Sequence, residues 1–368
     1  MTETKKKNSW HLTDEKPFEA LRILASIAVA LIVTFIVLCF VSDQPLHDFV
    51  QLLILPLTKA NYFGYVLVKV IPLTFAGLAT LLYFRMGLFN LGTEGVFYFS
   101  GVVATYFATN AAFTTGNGFI DSLVPIVMAG IAGGLLSLLP GYLNAKFKTD
   151  EMVISLMLNN ILYGVGFWIV KTFLAISGTT GTSSAPFTSS ARLETIIPKT
   201  QVHSGLIIAL AMVVFVWVLL YKTKLGYSIR ISGINPKFAM YSGMGAFGTF
   251  MLVHFIAGAI GGVGSAVELL GMYKAFTWST LPGLGFSGAM ITMLGKNDPI
   301  GVLVASFGIS YLRASAQLLA NSTPYIDIKM ISIVEVILTL LISSQFFLQR
   351  WRSRQLLKQE KEAEKHAD

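Results

Sequence analysis

Charge is scarce in this sequence. Only 12% of its 368 residues are Asp, Glu, Lys or Arg, where a soluble domain carries about a quarter. Cysteine is nearly absent: Cys39 stands alone, so no internal disulfide can form, and the Cys/His spacings of zinc and redox sites are missing. Cys39 reads as a packing or lipid-facing residue. The five histidines, at 11, 47, 203, 254 and 366, have no metal-ligand spacing. A phosphate-cradling loop of the form G-x4-G-K-[ST] is missing too; the nearest stretch, GAMITMLGKN, has the wrong spacing and places Asn297 after Lys296. No piece outside the apolar runs reaches thirty residues, which excludes a soluble catalytic domain.

Apolar residues are abundant, at 54%, and come in runs of the roughly 20 residues that cross a bilayer. They fall near 22–41, 63–84, 95–113, 122–143, 153–175, 204–221, 246–270, 284–295, 299–319 and 329–349, the eighth unusually short. A further run at 49–57, FVQLLILPL, is too short to cross and suits the interface or a bent lead-in to the second span. The start lacks the pattern of a cleaved signal peptide, so 22–41 reads as an uncleaved first span. Ten crossings put both termini on one side. If that side is cytoplasmic, nineteen of the 27 basic residues fall inside, as the positive-inside rule demands. The net charge of +8 therefore reports topology and not nucleic-acid binding. The expected fold is an all-α polytopic membrane protein with about ten transmembrane helices. Residues 1–21 form a cytoplasmic lead, 22–349 the membrane domain with a cytoplasmic loop at 222–245, and 350–368 a charged cytoplasmic tail.

Two stretches interrupt the apolar pattern at membrane depth: RMGLFNLGTEGVFYFSG at 85–101 and LPGLGFSGAMITMLGK at 282–297. Broken backbone is tolerated there only where it is buried or lines a wet cavity. Transporters place substrate sites at such paired interruptions. One reading makes the glycines packing residues and Asn90 and Glu94 inter-helix hydrogen-bonding groups, Glu94 also favoured at a helix N-terminus. The other, favoured by the pairing, makes Phe89, Asn90, Glu94, Phe286 and Ser287 the lining of a solute path. Lys69, Lys171, Glu268, Arg313 and Glu335 sit in separate spans and share no helix face. They read as structural partners or snorkelling groups, not as a proton relay.

The loop KTKLGYSIRISGINPKFAMYSGMGAF, 222–247, carries a short helix signal. Asn235 suits an N-cap, Pro236 the first helical position and Gly243 a left-handed terminus. The helix expected over 236–242 is too short to be stable alone and must pack against something; it reads as a surface turn between two spans or, more sharply, as a docking element for a cytoplasmic motor.

Here the sequence resembles a family. The pattern L-G-x-x-x-R-x-x-G-x-N-x-x-x-A-x-x-x-G, Leu225–Gly243, resembles the coupling loop of ABC importer permeases in the branch for branched-chain amino acids, simple sugars and nucleosides. GLFNLGTEG at 87–95, KTDEMVISLMLNNI at 148–161, SAPFTSSARL at 184–193 and GFSGAMITMLGKNDPIG at 285–301 are similar to the nucleoside and simple-sugar members. The likeness runs from about residue 60 to 345. It departs at Ser287, commonly Asp, and at Thr93, often Ala.

The resemblance implies a non-catalytic permease subunit of a binding-protein-dependent importer, for nucleosides first and for ribose- or galactose-type sugars as the alternative. Arg230, Gly233, Asn235, Pro236, Ala239 and Gly243 would couple it to a separate ATPase, which binds the ATP and Mg2+. The chain itself holds no cofactor or metal. Its other partners would be a second permease chain, identical or paralogous, and an extracellular substrate-binding lipoprotein. An ion-coupled carrier is the alternative from another class.

Overall fold

The computed structural model describes residues 31–322, apart from 34, 37, 41, 43, 177–182, 244 and 245. The N-terminal lead, the start of the first expected span, the tenth span and the tail lie outside the described residues. Contacts divide the chain into two units, Leu53–Leu318 and the segments flanking it. In the flanking unit, Leu38, Leu52 and Leu319 form a small apolar cluster with Phe49.

The described residues are helical, with two isolated antiparallel bridges and no strands. Helix α1, Pro45–Thr58, contains the run judged too short to cross. Next come α2 (Ala60–Arg85), α3 (Thr93–Thr109), α4 (Gly118–Phe147) and α5 (Glu151–Ile169, extended by a π turn to Leu174). The chain continues through α6 (Gly205–Lys222), α7 (Lys224–Ile234), α8 (Pro236–Tyr241), α9 (Ala246–Met272), α10 (Leu284–Leu294) and α11 (Pro299–Ser322). Among the described residues, α2, α4, α5 with its extension, α6, α9 and α11 are long and apolar enough to span a membrane. Helix α10 has 11 residues, a rise of about 16 Å, or about half the hydrocarbon thickness. The short eighth segment of the sequence is this half-helix.

Helix α2 is apolar all round and its residues from Val66 to Tyr83 are nearly all buried, the pattern of a central helix. Helices α9 and α10 pack along it. Helix α9 also crosses α4 at glycines. A Cβ at Gly258 would collide with the Gly133 carbonyl and Ser137, and one at Gly262 with the Ala129 carbonyl. Such close approach brings dispersion contacts that hold helices together where lipid offers no hydrophobic drive.

The helix ends gather in two places. At one, Arg85 donates to the Asn297 carbonyl through Nε and to the Tyr221 hydroxyl at 2.8 Å through Nη2, while Tyr221 donates to Asp298 Oδ1 at 2.7 Å. At the other, the Ser/Thr-rich loop from Ser183 to His203 is tied down. Ser184 N–H donates to the Phe276 carbonyl at 3.0 Å, Phe187 to Lys274 at 2.8 Å and Leu193 to Leu270 at 3.1 Å. These backbone hydrogen bonds to 270–276 make the loop a packed cover.

Candidate functional site

The first interruption is a turn held by one face of α5. Asp150 caps that helix, accepting from Met152 N–H at 2.9 Å, and the cap sets Glu151, Ser155 and Asn159 on one stripe. Ser155 Oγ accepts from Leu91 N–H at 3.1 Å. Asn159 donates to the Leu91 carbonyl at 2.9 Å and accepts from Gly95 N–H at 2.8 Å. Asn90 accepts from Gly92 N–H at 2.7 Å and donates to Glu151 Oε1 at 2.7 Å. The non-helical backbone is thus satisfied by side chains, as membrane burial requires. The three polar residues recur every fourth position in an apolar helix, a periodic signal present within KTDEMVISLMLNNI.

Glu151 Oε1 also lies 2.8 Å from His254 Nε2, and His254 Nδ1 lies 2.9 Å from the Phe250 carbonyl. A carbonyl only accepts, so Nδ1 carries a proton. The contact between Nε2 and Oε1 joins α5 to α9. Both side chains are buried.

The two interruptions meet, and Glu94 joins them. Its carboxylate accepts from Gly283 N–H at 2.5 Å and from Gly285 N–H. These are free donors at the start of α10, and a carboxylate there also meets the positive end of the helix dipole. Ser287 Oγ donates to the Gly283 carbonyl at 2.8 Å and accepts from Arg313 Nη2 at 2.8 Å. Asn90 and Glu94 are 1% and 2% exposed with their polar groups engaged by protein. Phe89 is exposed and stacks on Phe84 with centroids 5.2 Å apart; Phe286 is exposed.

Beside this junction is a cavity of about 420 Å3, lined by none of those five residues. Lys69 of α2, Glu268 of α9 and Arg313 of α11 line it together. The sequence reading had left these three charges scattered. The segment between α9 and α10 supplies Tyr273, Thr277, Trp278, Ser279 and Thr280. Tyr98 holds this segment by donating to the Trp278 carbonyl at 3.2 Å, and Tyr163 by donating to Ser279 at 2.7 Å. The Trp278 indole stacks on Phe97 at 5.9 Å and meets Tyr273 edge-on at 6.0 Å. The result is an aromatic wall flanked by hydroxyls, two cations and one carboxylate.

The short helix expected at 236–242 forms as α8, ending at Tyr241. Asn235 Oδ1 accepts from Phe238 N–H at 3.0 Å, Pro236 opens the helix, and Gly243 follows it in the left-handed region at φ 71°. Ala239 is buried. Ile234 and Tyr241 are 81% and 83% exposed, and Phe238 and Met240 are exposed beside them. Arg230 places its guanidinium 5.3 Å from the Tyr221 ring centroid. Gly233 backs onto the end of α2 so closely that a Cβ would collide with the Arg85 carbonyl, while Gly87 faces it at φ 76°. Helix α7 therefore touches the same turn whose other end reaches Glu94 and the cavity segment.

A helical membrane body with two joined interruptions, a polar and aromatic cavity, and an exposed apolar helix at one end defines a solute permease. The family model for the branched-chain amino acid transport system permease component matches residues 62–343, and the chain belongs to that family. It is an ABC importer permease, a non-catalytic multi-pass subunit of the bacterial plasma membrane. This displaces the ion-coupled carrier considered from sequence. Permeases of this kind work with ATPase and substrate-binding partners. The chain is 28% identical to a glucose ABC transporter permease of Haloferax volcanii, covering 89% of this chain and 87% of that one. It is 29% identical to a guanosine ABC transporter permease of Bacillus subtilis, covering 77% and 82%, and 26% identical to a nucleoside ABC transporter permease of Lactococcus lactis, covering 89% and 91%. No solved structure matches the chain.

Proposed function

We propose that this permease imports nucleosides by alternating access, with the cavity between α2, α9 and α11 as part of the solute path. The observation that carries this reading is the cavity lining, an aromatic wall with hydroxyl and charged groups close by. A nucleoside presents a flat apolar base and a polyhydroxyl ring, and these surfaces match. The guanosine and nucleoside relatives support the same choice. Phe286, Ser287 and Phe89 belong to the path where it passes the interruptions, and Asn90 and Glu94 hold its backbone in shape.

In this reading ten spans place both termini in the cytoplasm. A separate ATPase, which binds ATP and Mg2+, docks on the exposed apolar side chains of α8; the permease chain uses no cofactor. Movement of α8 passes through α7 to the turn at Gly87 and on to Glu94, tilting the start of α10 at the cavity. A loaded substrate-binding lipoprotein docks on the opposite end, and a second permease chain, identical or paralogous, completes the membrane unit.

A simple-sugar permease is the second reading, favoured by the glucose relative. Both are tested by ATP-driven uptake of radiolabelled nucleoside into proteoliposomes holding the permeases, the ATPase and the binding protein. Competition by purine and pyrimidine nucleosides, stronger than by free ribose, is expected. Competition by glucose, galactose or ribose, with none by nucleosides, rejects the nucleoside assignment. Labels at Ser183 and Ser353 should report opposite sides of the membrane; the same side for both rejects the ten-span topology.

A further inference from the structure

We propose that Glu268 selects solutes bearing a vicinal diol by accepting hydrogen bonds from both hydroxyl groups, an inference that rests on the cavity being part of the solute path. Among the described residues, Glu268 is the one carboxylate lining the cavity. Its Oε2 is buried with no hydrogen-bond partner, and no ion pair joins it to Lys69 among the described residues. A buried carboxylate oxygen left without a donor is costly, and such groups are uncommon enough in folded proteins to need a reason. Glu94, by contrast, has both oxygens engaged by backbone N–H groups. Glu151 takes Asn90 and His254 on Oε1 and leaves its own Oε2 without a partner, but it lies outside the lining of this cavity.

The neighbours narrow the ligand chemistry. Lys69 and Arg313 bring positive charge to the lining, Arg313 while it donates to Ser287 Oγ, which disfavours a cationic solute at Glu268. An anion would meet the carboxylate. A neutral polyol suits all three, because each hydroxyl both donates and accepts. Two adjacent hydroxyls can donate side by side to the two oxygens of one carboxylate. Trp278 and Tyr273 supply the apolar surface against which the rest of a ring system packs. The solute class is therefore a neutral ring compound with adjacent free hydroxyls: a ribonucleoside ahead of its deoxy counterparts, or a sugar ahead of its deoxy analogue.

The test compares uridine with 2′-deoxyuridine and 2′,3′-dideoxyuridine in proteoliposomes containing the whole transporter, for wild type and Glu268→Gln with the same binding protein. Keeping the binding protein constant cancels its own preference in the variant-to-wild-type ratio for each solute. Glu268→Gln should lower uridine uptake about tenfold, the effect of one lost charge-assisted hydrogen bond, and dideoxyuridine uptake less than twofold. Equal losses for all three solutes, or none, overturn the proposal. So does uptake of uridine monophosphate in preference to uridine, which would make the cavity an anion site. If Glu268→Gln does not assemble, Glu268→Asp, which draws the carboxylate back, is read in the same way. If wild type carries glucose and no nucleoside, the nucleoside assignment fails separately. The diol proposal is then decided by glucose against 2-deoxyglucose.

Discussion

Replacing Glu94 separates a structural group from a simple lining group. Its carboxylate accepts two backbone N–H groups at the start of α10, one at 2.5 Å from Gly283 and one from Gly285. Glutamine has nearly the same shape but one acceptor oxygen, and its amide nitrogen would face the other N–H. One charge-assisted bond is lost and one buried donor is stranded, which costs about 2–4 kcal/mol. Alanine strands both donors and leaves a void, so the loss rises to about 3–6 kcal/mol. Thermal unfolding of the detergent-purified protein, followed by fluorescence, should rank wild type above Glu94→Gln and that above Glu94→Ala. ATP-driven uptake should fall in the same order, because an unanchored α10 alters the cavity wall. A Glu94→Gln protein with an unchanged unfolding midpoint and altered solute preference would refute this reasoning, and would make Glu94 a solute contact.

The Glu151–His254 pair should behave as a unit. Either Glu151→Gln or His254→Gln costs about 3–5 kcal/mol by leaving a buried partner uncompensated, and the double variant should cost clearly less than the two losses together; strict additivity in a thermal-unfolding cycle would argue against the coupling. At α8, Ala239→Asp buries a charge, so the protein should still insert while uptake drops at least tenfold and the ATPase no longer co-purifies; normal uptake with the ATPase retained would reject the docking assignment. His203, in the loop before α6, is buried and accepts from Gly205 N–H at 3.2 Å, and burial pushes its imidazole down to about 4. Below about pH 6.5 the unfolded chain takes up a proton that the folded chain refuses, so stability falls as pH drops, by about 2 kcal/mol at pH 5. Unfolding midpoints measured from pH 7.5 to pH 5 should decline less for His203→Gln than for wild type, and parallel curves would contradict the burial argument.

Much of this molecule was legible locally. The eight apolar runs between 63 and 319 each appear as a helix, because burial of apolar surface and backbone pairing are dictated residue by residue. The cap at Asn235, the proline after it and the glycine at 243 specify α8 within nine residues, and the structure ends that helix within one residue of its expected limit. Even the half-length of α10 follows from the glycines and proline before it.

Partnerships across the chain were not legible in this way. Sequence order separates Lys69, Glu268 and Arg313 and gives no reason to bring them together; the fold sets α2, α9 and α11 around a common cavity. For Glu94 and Asn90 the sequence left two readings, inter-helix hydrogen bonds or path lining, because a polar residue at membrane depth must find either protein or water. Tertiary structure supplies the protein partners, Gly283, Gly285 and Glu151. Local periodicity and capping are set by neighbours within a few residues, whereas the partner of a buried polar group is set by which helices come into contact.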